Sequence, residues 1–484
     1  MPLASLRILA FINGIFLVTL ALSMLVPVIT LLIFEQPQKI NAFLWSSLIT
    51  ALVGLAMIAQ GRPKQTQLRP RDMYMLTVSS WVMVSIFAAL PFIFAERASV
   101  TDAYFESMSG ITATGATVFS GLDEMSPGTL IWRSLLHWLG GIGFIGMAVA
   151  ILPMLRIGGM RLFQTESSDR SEKVMPRSHM VAKYMVLAYV GLSTLAVLAF
   201  WLAGMGLFDS INHAMSAIAT GGFSTSDSSL GKWQAPAIHW VAIVVMVLGS
   251  LPFVLYVSAL RGNYRALLRD AQVHGFLLLL VSSWFVLAGW KWLTTDLYWL
   301  DALRLVAVNI TSIMTTTGFA VGDYHLWGPF ASMMFFYLGF VGGCSGSTAG
   351  GLKIFRFQVA YILLKANLKQ LIHPRAVIKQ QYNRHRLDED IVRSILAFAF
   401  FYTITIATLA LAVAMCGVDW ITALTGAAAM VSGVGPGMGE MVGPAGNYAT
   451  IPDLAKWLLS FGMLLGRLEI LTVLVLLFPA FWRH

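Results

Sequence analysis

The chain has 484 residues, 57% hydrophobic and 11% charged, with a mean hydropathy of +0.75, against roughly 25% charged in soluble domains. That composition excludes a soluble globular protein, and apolar runs recur along the length, each about the ~20 residues that cross a ~30 Å hydrocarbon layer, which excludes a single anchor. The formal charge of +9 comes from 32 Lys and Arg against 23 Asp and Glu; the positives fall between apolar runs, so they set topology in membrane lipid and do not form a nucleic-acid surface.

The first run, residues 8–32, is too long for a signal-peptide core and has no convincing cleavage site, so it is read as a retained span. A second span at residues 42–59 ends at Arg62, Lys64, Arg69 and Arg71, which place the next loop, and by alternation both termini, in the cytoplasm. Further spans start near Met73, Met180, Gln272 and Ile391, with partners near Thr129, Ala237, Pro329 and Leu454, giving about ten in an all-α membrane protein. Inside loops carry Arg156, Arg161, Arg170, Lys173 and Arg177, then Arg261, Arg265 and Arg269, then Lys365, Lys369, Arg375, Lys379, Arg384 and Arg386. Outside loops carry Asp102, Glu106, Asp123 and Glu124, then Asp209 and Asp227, then Asp296, Asp301 and Asp323, then Asp419, Glu440 and Asp453. Such an acidic face is either a by-product of positive-inside bias or a concentrator of cations. Cys344 and Cys416 form no metal-spacing motif and no disulfide framework.

Each outside loop opens with an acid and a short, mostly apolar segment of about three turns, too short to span. Each segment runs into a Thr- or Gly-rich break: residues 112–117, 220–223, 315–319 and 433–437. One such break alone is an ordinary surface turn; four in register are a repeat of helix, re-entrant half-helix, extended segment and helix. The repeats cover residues 73–178, 179–271, 272–390 and 391–484, after two extra spans in residues 1–72. Non-helical backbone at membrane depth is tolerated where it is buried in protein or lines a watery path, and glycine lets carbonyls turn toward one axis. A half-helix entering from outside sets its partially negative C-terminus toward the membrane centre, which suits a desolvated cation.

With residues 342–351 (Gly-Gly-Cys-Ser-Gly-Ser-Thr-Ala-Gly-Gly) and the late Arg467, these breaks resemble the Trk/Ktr/HKT superfamily of potassium transporters, most closely its bacterial TrkH-type subunits, over nearly the whole chain. The resemblance implies a pseudo-fourfold pore in one chain that takes potassium ions into a bacterial cell across the inner membrane. Its filter, with glycines Gly115, Gly222, Gly318 and Gly435, would comprise Thr112, Ala113, Thr114 and Gly115; Thr220, Gly221 and Gly222; Thr316, Thr317 and Gly318; and Gly433, Val434 and Gly435. It further implies a homodimer, a cytoplasmic ring of nucleotide-binding regulatory subunits, and potassium as the bound ion with no organic cofactor in this chain. The breaks differ from the Thr-Val-Gly-Tyr-Gly of tetrameric potassium channels: the second has a doubled glycine and only the fourth keeps Gly-Val-Gly.

The apolar stretch from Pro329 to residue 364 is longer than a membrane requires, and its Gly- and Ser-rich middle would cost a helix about 1 kcal/mol per glycine. It is read as an intramembrane loop under the filter; a glycine face for close helix packing is the other reading. A phosphate-binding loop would need Gly-Lys-Ser or Gly-Lys-Thr, whereas this stretch ends Gly350-Gly351-Leu352-Lys353. Arg467 and Glu469 lie near the middle of an apolar final span, residues 457–478, so Arg467 either faces a watery cavity or pairs with Glu469 or another buried polar group. Gly343, Ser345, Gly346, Ser347, Thr348, Gly350 and Arg467 are therefore the expected gate. His137, His213, His239, His274 and Lys291 are scattered singly and read as structural or interfacial. A coupled symporter, the alternative, would place several midplane carboxylates, and apart from Glu469 few are seen. An enzyme on lipid-linked substrates would need a His, Asp or Glu cluster that the sequence does not offer.

Overall fold

The computed structural model describes residues 3–61, 69–150, 174–375, 378–382, 385–387 and 389–483, nearly all of them in helices or the turns between helices. Arg62, Lys64, Arg156, Arg161, Arg170, Lys173 and Arg384, expected in inside loops, lie outside those residues. Among the described residues six helices are long and apolar enough to cross a membrane, and eight spans result if two sharply bent pairs each count as one. The other two expected spans are Pro127–Ala150, a helix carrying buried Arg133 and His137, and the pair Pro329–Leu338 and Ile354–Ile372. The first two spans, Leu3–Ser23 and Ile40–Gly61, meet where Gly14 faces Gly54: a Cβ on Gly14 would sit 2.7 Å from the Gly54 carbonyl oxygen, so only small residues allow this approach.

Four short helices, Val100–Thr112, Leu207–Ile218, Trp299–Met314 and Trp420–Ser432, end at the four breaks. An acid starts each. Asp102, Asp209 and Asp301 are each the third helical residue, and Asp419 is an N-cap accepting from Thr422 N at 3.0 Å, so each complements the positive end of a helix dipole. Val100–Thr112 packs against Pro127–Ala150 on one side and Asp453–Arg467 on the other, so the last unit closes on the first.

Two expected spans are not continuous. Pro236–Ser250 and Phe253–Leu260 meet at 93°, at Pro252, whose ring removes a backbone donor and bars the preceding residue from helix. Asp453–Arg467 and Ile470–Leu477 meet at 116°, with Glu469 at φ 59°, so Arg467 ends a helix and does not sit within one. Glu106, expected among the outer-loop acids, is fully buried inside the first short helix.

Candidate functional site

The four breaks share one backbone conformation. Ala113, Thr220, Thr316 and Gly433 have φ of 52°, 53°, 56° and 69°, and two residues on Gly115, Gly222, Gly318 and Gly435 have φ of 83°, 86°, 87° and 94°. The residues between, Thr114, Gly221, Thr317 and Val434, do not have positive φ. Left-handed backbone at three non-glycine residues costs about 1–2 kcal/mol each and persists where surroundings hold it. Thr112, expected in the first extended segment, is the last residue of its helix instead; its hydroxyl donates to Met108 O at 2.6 Å and lies 2.8 Å from the Thr114 hydroxyl. Thr315 and Thr317 repeat that hydroxyl pair at 2.7 Å.

The breaks close into a ring. A Cβ on Gly115 would collide with the Gly221 carbonyl oxygen, one on Gly222 with that of Thr317, one on Gly318 with that of Val434, and one on Gly435 with that of Thr114. Each glycine therefore lies against a carbonyl of the next strand, in the order first to second to third to fourth to first. Gly115, Gly222 and Gly318 are partly exposed within otherwise buried runs.

Behind the ring each turn is tied to its own short helix by a different polar group. Glu106 accepts from Val118 N at 3.0 Å, Asn309 exchanges two 3.0 Å bonds with the Val321 backbone, and Thr425 accepts from Met438 N at 3.0 Å, each three residues past a ring glycine. In the second unit His213 Nε2 lies 2.9 Å from the Ser224 hydroxyl. Arg133, 1% exposed, joins the first turn to the second: it pairs with Glu106 at 2.7 Å and donates to Ser224 O at 2.9 Å, over the Phe223 ring at 4.1 Å. Phe223 also stacks on His137, with ring centroids 4.1 Å apart. The signal in sequence was a polar residue nine positions before the glycine, present as Glu106, His213 and Asn309 and displaced by one to Thr425.

Residues 342–351 lie against the helix-proximal ends of these turns. The loop is closed by a parallel bridge pairing Val341 with Leu352 and Gly342 with Lys353. The Thr348 hydroxyl lies 2.9 Å from both Ile218 O and Gly249 O and 3.3 Å from the Thr220 hydroxyl, and Gly350 N donates to the Thr316 hydroxyl at 2.7 Å. A Cβ on Gly350 would collide with Ser432 O, so the loop abuts the second, third and fourth turns. Ser345 N donates to Gln272 Oε1 at 2.9 Å, Gly346 O accepts from Phe253 N at 3.0 Å, Gly343 O accepts from Ile354 N at 3.2 Å, and the Ser347 hydroxyl stays within the loop on Cys344 O.

Arg467 reaches this loop: Nη1 donates to Thr348 O at 2.7 Å and Nη2 to Gly140 O at 3.4 Å, with the guanidinium over Phe144 at 4.3 Å. Glu469 pairs with Arg356 at 2.7 Å and not with Arg467. Lys353, buried and not singled out in sequence, donates to Ala349 O, so neighbouring carbonyls of the loop are held by two cations from two elements. A cavity bordered by Phe144, Gly350, Lys353, Tyr402, Arg467 and Glu469 lies beside the loop. Among the described residues no group of three His, Cys, Asp or Glu side chains is placed to hold a metal.

A sequence profile of TrkH, described as a cation transport protein, matches residues 38–483. The chain is similar to the Trk system potassium uptake protein TrkI of Halomonas elongata, with 49% identity over 96% of this chain and 94% of that protein. It is similar to TrkH of the same organism, with 36% identity over 99% and 100%. The crystal structure of the potassium transporter TrkH from Vibrio parahaemolyticus superposes with a TM-score of 0.92 at 33% identity, covering 100% of both chains.

Proposed function

Because this chain belongs to the TrkH family of cation transport proteins, we propose that it takes up potassium through a channel-like filter and that the loop beneath the filter gates the path from the cytoplasmic side. The observation that carries the reading is the closed ring of four turns with alternating positive φ, each ring glycine lying against a carbonyl of the next turn; such a ring of carbonyls can replace the hydration shell of a cation. Four short helices end at the ring, and their partially negative C-termini favour a dehydrated cation there.

In this reading residues 113–115, 220–222, 316–318 and 433–435 hold the ion, and residues 73–178, 179–271, 272–390 and 391–484 are the units that supply them. The gate is the loop with Arg467 fixed on Thr348 O. Arg467 and Lys353 set positive charge beside the path, and at low dielectric that charge repels a passing cation strongly. Opening requires the loop to leave these donors.

The chain acts in the bacterial inner membrane with both termini cytoplasmic, as a homodimer, and a nucleotide-binding ring docks on its basic inside loops. Pairing in the described residues argues against the coupled-symport alternative: Glu106 is bound by Arg133 and Glu469 by Arg356, so neither is a free proton carrier.

The test is ion flux in proteoliposomes under an imposed potential with no other gradient. Gly115→Ser, Gly222→Ser, Gly318→Ser and Gly435→Ser should each lower discrimination of potassium over sodium, by unequal amounts, since a Cβ there displaces a neighbouring carbonyl. Unchanged ratios in all four folded variants would refute the filter.

A further inference from the structure

We propose that Tyr448 is a specificity-determining residue, because its hydroxyl binds one ring carbonyl and so makes the fourth ligand unlike the other three. The inference rests on the ring being the filter. Tyr448 Oη donates to Gly435 O at 2.9 Å. Among the described residues no other hydrogen bond is made to a carbonyl of residues 113–115, 220–222, 316–318 or 433–435. The Gly115, Gly222 and Gly318 carbonyls, which occupy the same position as that of Gly435, thus keep their lone pairs for an ion.

The phenol is built into place. Tyr448 is 2% exposed, its ring lies 5.4 Å from that of Phe105, and its backbone N donates to Thr117 O at 2.8 Å. It therefore spans from the strand after the first ring glycine to the fourth glycine itself, across the seam where the last unit meets the first.

Two consequences act in the same direction. A carbonyl already accepting a hydrogen bond offers a weaker field to a cation, and a smaller ion, with its higher charge density, loses more from a weaker field than a larger one. The same bond fixes Gly435 against inward collapse of the ring, which also disfavours the smaller ion. Ring size and field strength both then favour potassium over sodium.

The experiment measures potassium and sodium flux in proteoliposomes for Y448F, for Y324F and for protein with 3-fluorotyrosine in place of Tyr448, each checked for monodispersity in detergent. Y448F keeps the ring and loses the donor; its potassium-to-sodium ratio should fall roughly fivefold, the order set by one net hydrogen bond. Tyr324 is a fully buried tyrosine whose hydroxyl has no partner among the described residues, so Y324F should leave the ratio unchanged. The fluorinated phenol is a more acidic donor of nearly the same shape and should raise the ratio, which a packing role alone would not do. An unchanged ratio in Y448F beside an altered one in any of the four glycine-to-serine variants overturns the role of Tyr448 and leaves the filter standing. Unchanged ratios in Y448F and in all four glycine variants overturn the filter and this inference together. Should Y448F fail to fold, the fluorinated protein decides: an unchanged or lowered ratio overturns the proposal.

Discussion

The four ring turns and the loop at residues 342–351 are both glycine-rich, and they use glycine in opposite ways. In the turns, glycine supplies left-handed backbone at one fixed position, and the carbonyls of residues 113–115, 220–222, 316–318 and 433–435, Gly435 excepted, accept nothing from the described residues. In the loop, Gly346 and Gly351 have positive φ, while Gly342 and Gly350 lie where a Cβ would strike backbone carbonyls of Gly350 and Ser432. Loop carbonyls and amides are bonded across the chain, to Phe253, Gln272, Thr316 and Arg467. On the proposed function the difference separates two tasks: oxygens offered to an ion are left largely without donors and held from behind, whereas a barrier is held by bonds that can be released.

The largest expected effect comes from attacking what holds the ring from behind. Glu106→Gln leaves Arg133 buried without its counter-charge, which in a dry site costs about 3–5 kcal/mol. Thermal unfolding in detergent should show that loss, and the potassium-to-sodium ratio should fall in whatever protein survives. The exposed pair Arg393–Glu389, at 3.1 Å, is the contrast: Glu389→Gln should cost less than about 1 kcal/mol. If Glu106→Gln matches Glu389→Gln in stability and keeps its selectivity, the buried pair does not fix the turns.

The next effect separates the loop from the ring. Arg467→Ala removes the bond to Thr348 O, worth about 1.5–3 kcal/mol for a charged donor, so the closed state should lose roughly tenfold to a hundredfold in population. Flux without any cytoplasmic partner should rise accordingly, with the ion ratio unchanged. Shortening the loop within residues 343–350 should act in the same direction. Equal or lower flux per monodisperse molecule from both variants would place the barrier elsewhere.

Much of this was legible in sequence, for a physical reason. Backbone conformations that need glycine leave glycine at the site, so the four turns and the loop could be read locally, and a lone arginine in an apolar run marks itself by its cost. What escaped depends on which distant residues meet. Glu106 read as an outer-loop acid because nothing local announces Arg133, 27 positions on, as its partner. Tyr448 looks like an ordinary loop tyrosine, and Lys353 reads only as the residue ending the Gly- and Ser-rich intramembrane stretch, until the fold brings them to Gly435 O and Ala349 O. The break at residues 467–469 was hidden because apolar residues continue on both sides, whereas Pro252 was a visible signal that the span beginning near Ala237 would bend.

The smallest expected effect tests whether the entry ends of the short helices belong to either task. Asp419 caps Trp420–Ser432, and its hydrogen bonds from Thr422 hold the carboxyl below the ordinary carboxylate range. Asp419→Ala should cost about 1 kcal/mol of stability at neutral pH, the usual worth of such a cap. The sign follows from linkage: a carboxyl whose folded pKa is lowered contributes stability that is fully present above the ordinary carboxylate range and is lost as pH falls through the lowered value. The gap in unfolding temperature between the parent and Asp419→Ala should therefore be constant near neutrality and close in acid. Ion ratio and partner-free flux should match the parent, because the cap lies at the far end of its helix from the ring. A changed ratio in Asp419→Ala would mean that strain at the entry end reaches Gly433 and Gly435 through the helix, and the ring would then be held from its outer ends as well as from behind.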